Sequence, residues 1–524
     1  MKRRGMTALG AVVLAASVAL TAPAAASAAD GQHGGPVVVT TEGPVRGSTT
    51  GATVTFRGLR YAAPPVGELR WRAPAPADRR KGGVLDASTS GPACPQNGSP
   101  FGQASSTEDC LFLDVHAPTG AKRPAGLPVM VYFHPGGLLT GRGNALDPAP
   151  LVRNGVLVVT VNYRLGALGF LAHPGLSAEA DGSSGNFGLM DQQAALRWVQ
   201  RNIRGFGGDP ANVTIFGESA GGQSVIYQMV SPAAAGLFSR AIAQSGADID
   251  VQHQVSQLTA NAAGTAFAEA AGCPNQSAAC LRALPVAALL AKQRTDFYNP
   301  NLDGRVLPQS VSSALTSGEV HRVPFINGSN ADEFRLFIGL IELAGYPITD
   351  DAYEAGIQAV LSVDGATAAY LAGVYPLSEH GSASEAVAAI GTDAVFSCST
   401  RQITELASRW MPTYAYEFAD RTAPPFLPPL SFPQGAYHGS ENPYLFAVPG
   451  MPDLLNAAQQ GLATTMQRYW TSFATTAVPE GRGDVPSWPR YDEAELLQRL
   501  ALPAPTTTSD FADAHHCDLW TPAS

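Results

Sequence analysis

A serine stands between glycines two residues away on either side, in Gly217-Glu218-Ser219-Ala220-Gly221. A serine hydroxyl attacks a carbonyl only when a positioned imidazole takes its proton, and that imidazole needs a carboxylate to hold its tautomer. The β-branched and aromatic run Val213-Thr214-Ile215-Phe216 reads as a buried strand, and Gln223 to Val230 reads as a helix. The serine pattern therefore lies in the strand–turn–helix context that gives it mechanical meaning. So sharp a turn holds the serine in a strained conformation, which small residues at 217 and 221 permit. It also sets the Ala220 amide at a helix N-terminus, aimed at developing negative charge. With 54 glycines in 524 residues the bare pattern arises readily by chance, so it needs a base, an acid and a second oxyanion donor elsewhere in the chain.

Ten histidines are available as the base. His438 stands out in the loop Gln434-Gly435-Ala436-Tyr437-His438-Gly439-Ser440-Glu441, which follows a strand at 413–418 and the rigid stretch Pro424 to Pro429. His134 belongs to the loop expected to bind the oxyanion, His515 and His516 lie near the C-terminus, and His33 is at the start of the chain. The acid is expected between serine and histidine, in a loop at the carboxyl end of a strand. Asp332 and Glu333 follow such a strand; the residues alone leave the choice open, and one of the two must turn away to cap or pair locally. Asp303 and Asp393 lie in the same interval and read as turn or salt-bridge residues. For the oxyanion, Gly136 and Gly137 follow an apolar strand; Pro135 has no N–H, which leaves those two amides and that of Ala220 as donors.

These groups need a common edge. Apolar strands are expected at 127–133, 156–161, 213–218, 238–245, 323–328 and 413–418, with another at 111–115. Helices are expected over 191–203, much of 250–300 and 335–410, and 457–473. Short alternating strands at 37–40 and 54–57 suit a small antiparallel N-terminal unit. Together they predict an α/β fold: a mostly parallel central sheet covered by helices on both faces, with helical insertions after the serine turn. No internal repeat or long linker divides it.

The start, Met1-Lys2-Arg3-Arg4, an apolar run from Met6 to Ala22 and Ala26-Ser27-Ala28 form a secretory signal peptide, residues 1–28, cleaved after Ala28. Residues 29–524 are then expected as one exported domain. Cleavage moves the net charge from −10 to −13, since Lys2, Arg3 and Arg4 leave and no acid does. That surface argues against nucleic-acid or anionic-membrane partners, and no later segment is apolar enough to span a bilayer. Four lysines against 29 arginines, with abundant alanine, glycine and proline, suggest a GC-rich bacterial source. Six cysteines in an exported chain imply three disulfides among fifteen pairings. Spacing favours Cys94–Cys110 and Cys273–Cys280 as short loops and leaves Cys398–Cys517 as a long tie. Apart from His515-His516-Cys517 there is no cysteine–histidine cluster, and no metal is expected.

Several longer runs occur in one order: Phe56-Arg57-Gly58-Leu59-Arg60-Tyr61-Ala62-Ala63-Pro64-Pro65-Val66-Gly67, then Glu108 to Val115, Val161 to Gly166, Gly185 to Gln193, and Phe206 to Pro210 ahead of the serine motif. In these the chain resembles the type-B carboxylesterases, the group of cholinesterases and bile-salt-activated lipases within the α/β-hydrolase fold, over nearly all of its length after residue 28. The resemblance implies Ser219 as nucleophile, Glu333 rather than Asp332 as acid, His438 as base, and Gly136, Gly137 and Ala220 as oxyanion hole. It implies the same three disulfides and a buried Glu108–Arg164 ion pair. The implied activity is cleavage of small carboxylic esters through an acyl-enzyme, without cofactor, by a monomer or weak oligomer. It is expected to rise as His438 loses its proton near pH 6–7. A lipase or sterol esterase is the alternative; a non-catalytic adhesion protein fits less well, because all three triad positions are filled.

Two departures stand out. The family's His-Gly-Gly-Gly-Phe is His134-Pro135-Gly136-Gly137-Leu138 here. Pro135 replaces a glycine that donates nothing and stiffens the loop, and Leu138 is expected to widen the pocket where an aromatic would stand. In cholinesterases the loop between the first two cysteines carries a tryptophan that binds quaternary ammonium. Pro95 to Asp109 has only Phe101 as an aromatic, so the loop does not suit choline esters.

Overall fold

Strands that are apolar on both faces must be covered twice, and this chain covers them with helices. A computed structural model describes residues 34–120, 126–246, 254–294, 298–452, 454–481 and 486–521; the expected signal peptide lies outside them. In chain order the strands are β1 (Val37–Thr40), β2 (Gly43–Arg46), β3 (Ser48–Thr50), β4 (Thr53–Arg60), β5 (Leu85–Asp86), β6 (Phe112–Pro118), β7 (Leu127–Phe133) and β8 (Leu157–Val161). They continue with β9 (Gly208–Glu218), β10 (Arg240–Gln244), β11 (Val255–Ser256), β12 (Asn301–Leu302), β13 (Phe325–Asn330), β14 (Thr413–Phe418), β15 (Leu497–Leu500) and β16 (Thr506–Thr508). Eleven form one sheet in the order β16-β15-β14-β13-β10-β9-β7-β8-β6-β4-β3. From β8 through β15 the neighbours run parallel, and both edges are antiparallel. β1, β2 and β5 make a separate small sheet.

Alternation along each strand divides the core. Val129, Val131 and Phe133 of β7 join Ile215, Ala241 and Phe325 on one face, under Leu196, Trp198 and Val199 of the helix Phe187–Asn202. Met130 and Tyr132 join Phe216, Ile242 and Ile326 on the other, under Met466, Trp470 and Phe473 of the helix Ala457–Thr476. Each such side chain contributes about 1.5–3 kcal/mol when fully buried. The segment from 334 to 396 folds into helices around its own core of Phe334, Ile338, Ile357, Leu371 and Val387.

One expected pairing is corrected. Arg164 binds Asp191, not Glu108: its Nε and Nη2 donate to the two carboxylate oxygens at 2.7 Å each, and its backbone N–H adds a third bond at 3.0 Å. The helix Phe187–Asn202 starts four residues earlier than expected and carries Asp191, fully buried, against the end of β8. Glu108 instead receives both Nε and Nη2 of Arg70, at 2.6 Å each. All three disulfides are formed as spaced, Cys94–Cys110, Cys273–Cys280 and Cys398–Cys517. Such bonds persist in oxidising compartments. Among the described residues no single helix is long and apolar enough to cross a membrane.

Candidate active site

β9 ends at Glu218 and the helix Ala220–Val230 begins immediately after Ser219, whose φ of 56° and ψ of −125° mark a strained turn. Conformations of this kind cost about 1–3 kcal/mol and persist only where the surroundings enforce them. Here the enforcement is visible. A side chain on Gly221 would collide with the Phe133 carbonyl at the end of β7, and one on Gly217 would come within 2.7 Å of the same oxygen. The Ser219 N–H donates to the Gln244 carbonyl at 2.8 Å, which pins the turn to β10.

β7 leads into the glycine loop. The His134 ring stacks on Tyr163 at 4.3 Å, its Nδ1–H donates to the Pro135 carbonyl at 2.8 Å, and its own carbonyl accepts from the Tyr163 hydroxyl at 2.6 Å. Burial lowers the His134 pKa to about 4, so this ring is a neutral support. The carbonyl of Gly136 accepts from the amides of Leu139 and Thr140, both at 3.0 Å, closing a tight turn. Gly136 and Gly137 have φ of 115° and 63° there, a region that favours glycine. Among the described residues the amides of Gly136, Gly137 and Ala220 donate to no protein group. The Leu138 side chain is wholly buried, in the same core as Tyr163 and Leu165.

β13 and β14 deliver the remaining groups. Glu333 lies three residues beyond β13; its Oε1 accepts from the Asn330 amide at 2.8 Å, and its Oε2 faces His438 Nδ1 at 2.6 Å. Both side chains are buried. Phe337 and Phe396 pack on the imidazole, with ring centroids 5.3 and 4.9 Å away. Asp332 turns away and accepts from Arg421 Nε at 3.0 Å and the Ala436 amide at 2.9 Å. Asp303 accepts from the amides of Arg305, Val306 and Leu307 in a local turn, and Asp393 pairs with His515 at 2.6 Å.

The other imidazole nitrogen, His438 Nε2, lies 3.3 Å from Glu218 Oε1. Among the described residues no hydrogen bond joins Ser219 Oγ to His438 Nε2; the imidazole lies against Glu218, the residue before the serine. Catalytic contacts of this kind are often long until substrate tightens them. A third buried carboxylate, Glu441, is held by Gln244 Nε2 at 3.0 Å and Asn330 Nδ2 at 2.7 Å. Burial alone would lower the His438 pKa, but Glu218, Glu333 and Glu441 outweigh it and raise it to about 9. The expectation of pH 6–7 took the imidazole without these carboxylates, whose effect is upward. Burial lifts Glu218 in turn to about 8, with His438 opposing and Glu441 and Glu333 adding.

Glu218, Asn330, Gln244 and Glu441 were not anticipated as part of the site. A signal existed for Glu218: it lies two residues past Phe216 on the same face of a buried strand, where a charged residue is out of place without a partner.

A serine turn on a central strand, with a carboxylate and a histidine after two later strands of the same parallel sheet, is the layout of an α/β-hydrolase. Residues 34–520 match the Carboxylesterase family. The chain is 35% identical to fumonisin B1 esterase of Sphingopyxis macrogoltabida, over 86% of this chain and 84% of that protein. It is 33% identical to para-nitrobenzyl esterase of Bacillus subtilis (strain 168), over 90% of this chain and 95% of that one. A solved structure of PNB esterase superposes with a TM-score of 0.75 at 32% identity, covering 90% of this chain and 97% of the other. The chain belongs to the carboxylesterase family. It is a carboxylic ester hydrolase.

Proposed function

We propose that the protein is an exported serine esterase in which Ser219 is the nucleophile, His438 the base and Glu333 the acid. The observation that carries this reading is the buried 2.6 Å contact between Glu333 Oε2 and His438 Nδ1, beside a serine held at φ 56°. In the neutral imidazole Glu333 keeps the proton on Nδ1, so that Nε2, beside Glu218, is the nitrogen that accepts. As Ser219 Oγ bonds to the ester carbonyl carbon, its proton passes to Nε2 and the carbonyl electrons move onto oxygen. The unoccupied amides of Gly136, Gly137 and Ala220 receive that oxyanion; losing one such donor typically costs about 10²–10³ in turnover. Collapse breaks the ester C–O bond, and the alcohol leaves with the proton from Nε2. Water then attacks the acyl-enzyme through the same base and releases the acid.

The substrate class is a small-molecule carboxylic ester. The test is hydrolysis of p-nitrophenyl esters from acetate to palmitate by wild type and Ser219→Ala. The variant is expected to lose activity by several orders of magnitude while keeping its fold, and undiminished hydrolysis sinks the mechanism. The chain-length profile sorts esterase from lipase. Export through residues 1–28, leaving residues 29–524 as one domain, is tested by the N-terminal sequence of protein recovered from the culture medium. A start at Met1 there refutes it.

A further inference from the structure

Two exposed phenylalanines that no step of the chemistry uses lie against each other. Phe101 and Phe426 stack with centroids 5.6 Å apart and planes 12° from parallel, although they are 38% and 49% exposed. They belong to loops anchored on opposite walls of the site.

Phe101 is at the tip of a tight turn closed by Ser99 and Gly102, whose amides and carbonyls bond at 2.9 and 3.3 Å. That turn sits within the Cys94–Cys110 loop and is docked on the glycine loop. Gln96 Oε1 accepts from Thr140 Oγ1 at 2.5 Å and the Gly141 amide at 2.7 Å, and Ser99 Oγ meets Thr140 Oγ1 at 3.2 Å. Phe426 is in the proline-rich stretch before His438. Gln434 Oε1 accepts from the amides of Phe426 and Leu427 at 3.0 Å each, and the Tyr437 hydroxyl donates to the Pro424 carbonyl at 2.8 Å. One ring is thus tied to the oxyanion side and the other to the histidine side.

The sheet gives the distance between these anchors. The glycine loop leaves the carboxyl end of β7 and the His438 loop leaves that of β14, with β9, β10 and β13 between them. Four strand spacings make about 19 Å, yet the rings touch. The two loops therefore arch over the edge of the sheet that carries Ser219 after β9 and Glu333 after β13.

We propose that Phe101 and Phe426 form a clasp across the mouth of the site and determine which esters reach Ser219, admitting small ones and holding back those large enough to part the rings. The proposal rests on Ser219 as the nucleophile. Both loops are braced by hydrogen bonds up to the residues that carry the rings, so the stack is the part of the arch that yields. A stacked pair in water is a weak closure, and breaking it is expected to change access by about two- to tenfold.

The experiment measures kcat/KM for p-nitrophenyl laurate and p-nitrophenyl acetate in wild type, Phe101→Ala, Phe426→Ala and the double variant, with thermal melting as the check on folding. Each single variant is expected to raise the laurate-to-acetate ratio about two- to tenfold. The double variant is expected to go no further than the larger single effect, because either loss already opens the clasp. Phe101→Tyr and Phe426→Tyr, which keep a ring, are expected to hold the wild-type ratio. Leucine at either position keeps the loop packed without a stack, and stands in if an alanine variant fails to fold. An unchanged or lower ratio in the alanine or leucine variants overturns the clasp, as does a double variant whose effect is the product of the singles. Failure of the underlying site reading shows separately, as acetate hydrolysis that survives Ser219→Ala.

Discussion

Replacing Glu218 by glutamine keeps the side chain's size and removes its charge from beside His438. The two groups are buried and 3.3 Å apart. Full unit charges at that separation interact by about 5 kcal/mol at an effective dielectric constant near 20. Glu218 is charged only part of the time near neutrality, because burial raises its own pKa to about 8. His438 is lifted from 6.5 to about 9 against the opposing effect of burial, a net effect of a few kcal/mol. The charge of Glu218 raises the pKa, and Glu333 raises it by both its charge and its hydrogen bond. Removing it is expected to lower the His438 pKa by at least about one unit.

The sign follows from the role of the base. In the proposed mechanism Ser219 needs a neutral imidazole, so kcat/KM is expected to rise with pH through the His438 pKa. A base whose pKa lies above neutrality is mostly imidazolium at pH 7, and lowering that pKa enlarges the neutral fraction. Glu218→Gln is therefore expected to shift the acid limb of the profile toward lower pH and to raise relative activity near neutrality by up to about tenfold. The plateau at high pH is expected to fall, since the charge that favours imidazolium in the resting enzyme also favours it in the transition state. The assay is kcat/KM for p-nitrophenyl acetate from pH 5 to 10, with spontaneous hydrolysis subtracted. A wild-type acid limb at pH 6–7 that Glu218→Gln leaves in place, or a limb that moves upward, refutes the reasoning.

His515 is buried between Asp393 at 2.6 Å and Glu417 at 2.8 Å, and these carboxylates overcome burial to raise its pKa to about 10. Because the folded pKa exceeds the unfolded one, its contribution to stability is complete below about pH 6.5 and is lost as pH climbs through 10. Among the described residues His515→Ala leaves Asp393 only the Tyr375 hydroxyl and Glu417 only the Arg499 guanidinium and is expected to cost about 1–3 kcal/mol at neutral pH, read by urea unfolding; a gap from wild type that widens from pH 7 to 10 contradicts this. Cys398 and Cys517 are 119 residues apart and Cys273 and Cys280 only 7. Chain entropy gives the long tie about 4–5 kcal/mol and the short loop roughly half that, so the double serine variant of the long tie is expected to melt lower; the reverse order refutes the entropic account.

The strands that carry the site were legible because their runs are apolar on both faces, which only a covered parallel sheet accommodates. The serine turn was legible because its glycines answer a close approach, and the structure identifies the neighbour as the Phe133 carbonyl. β15 and β16 were not: Leu497-Gln498-Arg499-Leu500 has no clean alternation, and it is a strand because β14 offers it an edge. The partner of Arg164 was equally hidden. Which carboxylate it meets depends on where the helix Phe187–Asn202 lands on the end of β8, and that follows from packing Leu196, Trp198 and Val199 against the sheet.

The charges behind His438 mark the limit of a linear reading most clearly. Glu218, Gln244, Asn330 and Glu441 come from the ends of β9, β10 and β13 and from the loop after β14, and nothing in their spacing relates them. Asn330 joins them: its backbone N–H holds Glu333 Oε1, while its side-chain nitrogen holds Glu441 Oε2. One residue at the end of β13 thus fixes two carboxylates on either side of it, and both bear on the same imidazole. The orientation of Glu333 is consequently a property of the sheet, transmitted through a backbone amide that cannot move without breaking register with β14. A side chain held in this way keeps a fixed aim on His438 Nδ1, which is what the proposed mechanism asks of the residue that orients the base.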